Sequence, residues 1–595
     1  MQQVNAEQES HMYSIEKARK IAQKWTTAPF DELTRHEVQA LLDAQQQDDA
    51  LLDRFGREME FGTAGLRGIM GSGIYYMNPY TVQRAAKGLA DCLCTRYPES
   101  IQRGVVIGFD CRHRSDEFAR ITAEVIAATG IKVYLYSQLG PTPLVPFAVR
   151  RLNAKAGVMI TSSHNPKQYN GFKVFWENGA QIISPLDKEI SDCINDAPDY
   201  DQIESIPLDR AVADGRITLL VEKDIERYTD WAAQTASLRG MHDVRVLYTP
   251  LHGTGYHCME QAFCKAGFTD FNVVTEQRDP NGDFPTVSAP NPEKEDALDL
   301  ARKEAEKINA DIIVASDGDT DRIGIAVRDR TGEYITLTGN QIGTVLMYYI
   351  FAWRKETNRL TGNEFGVASV VSSPLAEKIC RCFGADFCQT LTGFKWMGNV
   401  TEDRVQQGRD FILAYEEAFG VTFGESRDKD AVISIVLACE AAAFCKKQGR
   451  NLLDLIDEMY VHCDLHLEAA AERFYEGAQG AEQMNTIMKS IRENPPSQIN
   501  GCPVKILSDV LTGTRFEKGV PSGTVSLPSQ NLLYFILEDD SWLAIRPSGT
   551  EPKIKAYLGV IQSTTPDSLA ADKQEQTKKL AALRQAAVQL LAPAG

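Results

Sequence analysis

The sequence contains no Gly-Lys dipeptide and no G-x-G-x-x-G, which excludes a Walker A loop and a dinucleotide-binding fingerprint. It has no C-x-x-C pair either. Thirteen cysteines are scattered through 595 residues, and the nearest couples, Cys92/Cys94 and Cys380/Cys382, are C-x-C. That spacing does not make a zinc site, and the thiols read as free in a reducing compartment. Positive charge is in deficit: 63 Lys and Arg stand against 81 Asp and Glu, a net charge of −18. Bulk attraction to nucleic acid or to an anionic membrane is excluded, so an anionic ligand must be held by local basic loops. Long apolar runs are missing too. The longest, Ala431 to Cys445, is broken by Ser434 and Glu440, is too short to span a bilayer and fits a buried helix. The polar start of the chain, Met1 to His11, lacks the basic and apolar parts of a signal peptide, so a cytoplasmic protein is expected.

What is present is ordinary core material, with 43% hydrophobic and 24% charged residues, and length enough for about three to five domains. Ile15, Ala18, Ile21 and Ala22 recur at helical spacing, and a second segment surrounds Val38, Leu41 and Leu42, which predicts a helical cap over about 13–61. Strands and helices then alternate: Gly104 to Phe109, Ser115 to Thr129, Lys132 to Tyr136 and Gly157 to Ile160. The rhythm restarts at Val244 and again near Thr338, giving three α/β domains with at least partly parallel sheets. After about Phe474 a run of strands flanked by helices predicts a smaller α+β domain.

Four loops carry candidate chemistry. Thr161-Ser162-Ser163-His164-Asn165-Pro166 follows the strand ending at Ile160, where open α/β sheets bind ligands. Asn170-Gly171 reads as a turn beyond it. Asp317-Gly318-Asp319-Thr320-Asp321-Arg322 lies between two apolar strands, and its alternating carboxylates can converge on one hard cation. Arg322 and Arg328 stand where a calcium EF-hand needs glycine and glutamate. Glu416-Glu417-Ala418-Phe419-Gly420 follows a strand, and carboxylates there can accept hydrogen bonds from sugar hydroxyls. Arg546-Pro547-Ser548-Gly549-Thr550-Glu551-Pro552-Lys553 offers a guanidinium, two hydroxyls and backbone N–H groups as a dianion cradle. The segments around Arg67, Lys395 and Lys429 each add a cation, the first two beside a glycine bend and a hydroxyl. Together these loops suit phosphoryl transfer on a polyol.

In these motifs the chain resembles the α-D-phosphohexomutase superfamily from about Phe61 to Lys555, since T-S-S-H-N-P, D-G-D-T-D-R, E-E-A-F-G and R-P-S-G-T-E-P-K occur in the family's order. F-G-T-A-G-L-R-G, N-P-K-Q-Y-N-G-F-K-V, N-G-A-Q-I-I-S-P and L-T-G-F-K-W-M-G-N are similar to the branch of phosphoglucomutase 2, phosphopentomutase and glucose-1,6-bisphosphate synthase. The resemblance implies four domains around a central cleft: three α/β/α sandwich domains with mixed sheets, over 1–215, 216–336 and 337–472, and a C-terminal α+β domain over 473–595. It implies a phosphorylated Ser163, and one magnesium ion per chain on Asp317, Asp319, Asp321 and the phosphoserine. His164, Lys173, Arg67 and Arg322 would surround the transferred group, with Lys429 as proton acceptor. Thr392, Gly393, Lys395 and Glu416 would bind the sugar, and Arg546, Ser548, Gly549, Thr550 and Lys553 the phosphate that is not reacting.

The implied activity is a phosphosugar mutase, phosphoglucomutase with phosphopentomutase activity, acting on small sugar phosphates with glucose 1,6-bisphosphate or a similar sugar bisphosphate as activator. Glucose-1,6-bisphosphate synthase and phosphomannomutase are the alternatives. No nucleic-acid or membrane partner is implied, and the chain is expected to be a monomer or weak dimer. One departure is Ala418, where many phosphohexomutases carry a serine. Losing that partner for a sugar hydroxyl costs about 1–3 kcal/mol, enough to change substrate preference.

Overall fold

A computed structural model of the chain describes residues 12–44, 48–62, 65–475, 480–548 and 553–592. They form two compact units, Met1–Gly324 with Glu425–Val436, and Ile325–Gly424 with Leu437–Gly595.

The first unit opens with the predicted cap, three helices at Ile15–Lys24, Glu32–Asp43 and Asp48–Phe55. Ser14 and Asp31 start the first two by accepting N–H bonds from Lys17 and Thr34. Ala18, Ala22, Trp25, Phe30, Val38, Leu51 and Phe55 bury together as a small core, with Trp25 stacked on Phe30 at 4.3 Å.

Beyond the cap, six strands lie in the order Leu66–Ile69, Tyr169–Trp176, Ala156–Ile160, Val105–Phe109, Val133–Tyr136 and Ile217–Leu220. The last four are parallel, while Tyr169–Trp176 runs antiparallel to both its neighbours, so the sheet is mixed as predicted. Val105, Ile107, Ala156, Val158 and Ile160 face one core with helices Pro79–Arg96 and Ser115–Ala128. Gly108 and Gly157 alternate with them, and a β-carbon on either would fall within 2.7 Å of Val145 or Val149. Their missing side chains let helix Leu144–Arg151 pack on the other face.

The second sheet centres on Val246–Thr249, with Phe271–Val273 and Ile312–Ser316 parallel on either side. The loop 317–322 leaves the carboxyl end of Ile312–Ser316 and enters the strand Ile323–Arg328.

In the second unit, Asp386–Thr390, Glu364–Ser369 and Asp410–Glu416 are parallel, and Gly420–Phe423 returns antiparallel to the last. The final sheet is antiparallel throughout, in the order Leu465–Phe474, Lys553–Gln562, Trp542–Pro547, Leu533–Leu537, Cys502–Asp509, Thr514–Glu517 and Val520–Thr524. Helices Gly480–Glu493 and Leu569–Leu590 share its core. The architecture is therefore three α/β/α domains and a β-rich C-terminal one. The apolar run of 431–445 is a helix with every side chain buried except Phe444, which is half-buried. Among the described residues no helix is long and apolar enough to cross a membrane.

Candidate functional site

The loop 161–168 joins two neighbouring antiparallel strands, Ala156–Ile160 and Tyr169–Trp176. This corrects the reading of Asn170-Gly171 as a turn: both residues lie inside the strand. The segment is central and buried on both faces, so it lacks the polar alternation that marks a half-buried strand. Glycine at 171 serves close approach, since a β-carbon there would fall 2.6 Å from the Thr161 carbonyl and 2.8 Å from that of Leu66. The strand carries Lys173 from solvent into the interior, where it is 5% exposed.

Ser163 has a left-handed backbone, φ 54°, uncommon for a residue with a side chain. Its N–H donates to Thr161 Oγ1 at 2.8 Å. Its hydroxyl donates to Asp317 Oδ2 at 2.9 Å and lies 3.2 Å from His164 Nδ1. Burial, then the charges of Arg322 and Arg67, hold the His164 imidazole well below its ordinary pKa, so it is neutral at pH 7. Arg67 reaches Asn165 Oδ1 at 3.5 Å.

The aspartate loop brings its three carboxylates to the same place. Asp317, Asp319 and Asp321 are buried and each offers an oxygen within 4.8 Å of the others. Asp317 Oδ1 accepts the N–H groups of Asp321 and Arg322 at 3.0 and 3.1 Å, which closes the loop on itself. Lys173 Nζ donates to Asp319 Oδ2 at 2.8 Å and Asp321 Oδ2 at 3.2 Å, Thr142 donates to Asp319 Oδ2 at 2.6 Å, and Lys429 lies 3.4 Å from Asp321 Oδ2. The second oxygens, Asp319 Oδ1 and Asp321 Oδ1, are buried with no hydrogen-bond partner. A buried carboxylate oxygen without a partner is costly, and two of them beside a third carboxylate form an all-oxygen donor set that fits a hard divalent cation. Burial and the charges of Asp321 and Asp319 push the Asp317 carboxyl well above its ordinary range. Burial pushes Asp319 the same way, but the Lys173 ammonium outweighs it and holds that carboxyl below its range.

Arg322 Nη1 pairs with Glu293 at 2.9 Å, and its Nε lies 4.0 Å from both Asp317 and Asp321. Lys429 lies 3.5 Å from Asp428 Oδ1, and Gln181 donates to Asp428 Oδ2 at 2.7 Å. Ser163, His164, Lys173, Arg67, Arg322, Lys429 and the three aspartates all belong to the first unit.

The second unit assembles another polar cluster. Glu416 Oε2 accepts the Gly393 N–H at 3.2 Å, and Arg546 Nη1 donates to Thr392 Oγ1 at 2.6 Å. Lys395 lies over the Trp396 ring at 5.7 Å. The Ser548 N–H donates to the Lys553 carbonyl at 2.8 Å, and Lys553 Nζ pairs with Glu472 at 3.3 Å. Gly549 and Thr550 lie outside the described residues. Sequence reasoning missed Ser369 and Ser372, which donate to Glu417 Oε2 at 3.1 and 3.2 Å, and Thr142 and Gln181 in the first unit. It also missed Arg112, whose one signal was its place just past the strand Val105–Phe109.

Three family models match the chain: Phosphoglucomutase/phosphomannomutase alpha/beta/alpha domain I over residues 58–201, domain II over 226–332 and domain III over 338–462. A phosphopentomutase of Homo sapiens is 34% identical over 560 residues, covering 90% of each chain. A phosphoglucomutase of Staphylococcus aureus strain USA300 is 34% identical over 539 residues, covering 90% of this chain and 95% of its own. Among solved structures, the open form of the phosphoglucomutase pp63/parafusin from Paramecium superposes with a TM-score of 0.66 at 17% identity, covering 89% of this chain and 95% of its own.

Proposed function

We propose that this chain, a phosphosugar mutase belonging to the phosphoglucomutase/phosphomannomutase family of the α-D-phosphohexomutase superfamily, works by passing one phosphoryl group through Ser163. The observation that carries this reading is the convergence on one buried point of the Ser163 hydroxyl, a neutral His164, the Lys173 ammonium and three carboxylates with two oxygens unpartnered. Phosphoryl transfer needs positioning and charge neutralisation more than covalent activation, and a set of this kind supplies both.

In the proposed cycle the Oγ–P bond of phosphorylated Ser163 breaks as a sugar hydroxyl oxygen bonds to phosphorus, giving a sugar bisphosphate. Lys429, as a neutral amine for this step, takes the proton of that hydroxyl, and the freed Ser163 Oγ takes a proton from water, so the balance closes when Lys429 gives its proton back to solvent. The freed hydroxyl then donates to Asp317, the arrangement seen here. Return transfer from the other phosphate restores phosphoserine and completes the isomerisation. Lys173 and Arg322 face the oxygens of the group in flight. Asp317, Asp319 and Asp321 would hold a magnesium ion, which when bound supplies further neutralisation of phosphoryl charge. The second unit's Thr392, Gly393, Lys395, Glu416, Arg546, Ser548 and Lys553 we assign to binding sugar hydroxyls and phosphate.

For substrates we propose glucose and pentose phosphates, with a sugar bisphosphate reloading any unphosphorylated serine. The names of the relatives and the alanine at 418 support this choice. Turnover of glucose 1-phosphate and ribose 1-phosphate, with a sugar bisphosphate and magnesium, tests the reading against Ser163→Ala. The wild type should show a phosphate on Ser163 by mass spectrometry, and the variant should turn over neither sugar. Retained turnover in Ser163→Ala would sink it.

A further inference from the structure

The loop that presents Ser163 has no helix or strand of its own, yet it holds the serine in a left-handed conformation that a side chain disfavours. The Thr161 hydroxyl meets the Ser163 N–H, and the Ser162 and Pro166 carbonyls accept the N–H groups of Asn165 and Tyr169 at 3.1 Å each, which leaves the carbonyls of Ser163 and Asn165 to donors from outside the loop.

Arg112 supplies them. Its Nη2 donates to the Ser163 carbonyl at 2.6 Å and the Asn165 carbonyl at 2.5 Å, and its Nη1 to the Pro166 carbonyl at 2.9 Å and the Tyr169 carbonyl at 3.2 Å. The side chain is 0% exposed, so the guanidinium cannot meet a sugar phosphate, and both its terminal nitrogens are engaged inside the protein. Neighbouring groups in turn hold the residue. Asp110 lies 3.3 Å from Nε and accepts the Arg112 N–H at 2.9 Å and the Ser115 hydroxyl at 2.7 Å. Asn170 Nδ2 donates to Ser115 Oγ at 3.0 Å, which ties the same group to the strand carrying Lys173. The Phe284 ring covers the guanidinium, 5.2 Å from its central carbon.

We propose that Arg112 is the positioning residue of the nucleophile loop: by gripping four carbonyls, that of Ser163 and three that follow it, it holds the left-handed turn that aims Oγ at Asp317. The proposal rests on the reading of Ser163 as phosphoryl carrier. A planar guanidinium suits the task because its donors spread in a fixed fork, whereas an ammonium is a point charge that cannot span four acceptors.

Arg112→Lys is therefore the informative change, because it keeps a cation beside Asp110 and removes the fork. With saturating magnesium, its kcat should fall about 100-fold, the usual cost of about 1 Å of misplacement, while KM for glucose 1-phosphate stays within about threefold. Circular dichroism should show the wild-type fold. An unchanged kcat, or a KM that rises while kcat holds, would overturn the proposal. Should Arg112→Lys fail to fold, D110N/R112Q removes both buried charges together and takes the same test. Its kcat should drop with KM intact, and a folded double variant with wild-type kcat would overturn the proposal equally. If instead Ser163→Ala is active, it is the carrier reading that fails, whatever Arg112 does.

Discussion

Replacing Lys173 by methionine would separate two effects that one ammonium exerts at once. Lys173 Nζ sits 2.8 Å from Asp319 and 3.2 Å from Asp321, all three side chains being no more than 6% exposed. Methionine keeps most of the stem's packing and removes the charge, leaving two buried carboxylates short of their cation. Breaking a buried pair from one side costs about 3–5 kcal/mol. Here the lower end applies, because Asp319 keeps the Thr142 hydroxyl at 2.6 Å and Asp321 keeps Lys429 at 3.4 Å. At ~2.1 cal/mol/K per residue, a unit of about 340 residues has an unfolding entropy of ~0.7 kcal/mol/K, so ~3 kcal/mol lowers the unfolding temperature of the first unit by roughly 4 °C in chelator.

A divalent cation acts in the opposite direction. With one positive charge fewer beside the triad, magnesium should bind Lys173→Met more tightly than the wild type, and a ligand at 100 times its Kd adds about 2.7 kcal/mol. Most of the lost stability should return with the ion. Turnover should not, because the ion replaces the charge felt by the aspartates but not the ammonium that faces the phosphoryl group. Scanning calorimetry with EDTA and with magnesium, beside a mutase assay, reads all three quantities. The reasoning fails if the variant melts with the wild type in EDTA, if magnesium stabilises it no more than the wild type, or if turnover stays within about tenfold.

What could be read from the sequence was local. Three aspartates alternating between two apolar strands announce a cation loop because spacing and composition lie within a few residues of one another, and the triad converges as that pattern implies. The partner of that loop could not be located by spacing, since Ser163 and Asp317 are 154 residues apart and meet only through the order of two sheets. Arg112 escaped for a different reason: its partners are backbone carbonyls, which every residue carries, so no motif marks them. The strand Tyr169–Trp176 was hidden by Asn-Gly, a turn signal overruled by burial on both faces. At the far edge of the last sheet Val520–Thr524 was missed because it is wholly exposed and contains Pro521 and Gly523, both of which lower strand propensity.

Arg546→Met should raise KM for sugar phosphates about tenfold with a smaller change in kcat, since it removes the guanidinium bonded to Thr392 at 2.6 Å. Steady-state kinetics decide this, and an unchanged KM would remove Arg546 from the binding cluster. The other prediction concerns pH. Asp430 is 1% exposed and accepts bonds from the Tyr228 hydroxyl at 2.8 Å and the N–H groups of Val432 and Ile433 at 3.0 and 3.2 Å, yet burial outweighs these bonds and pushes its carboxyl up from 3.8 to about 7. The folded chain therefore holds a proton there that the unfolded chain has released, so this group's contribution to stability is full below about pH 4, falls as pH rises to about 7 and is level above it, a change of at most about 4 kcal/mol. Asparagine can accept the same bonds without charging, so Asp430→Asn should melt above the wild type at pH 8, and the gap should shrink by more than half at pH 5 and close near pH 4. Parallel melting curves for the two proteins across that range would mean that the carboxyl is not held protonated by its burial.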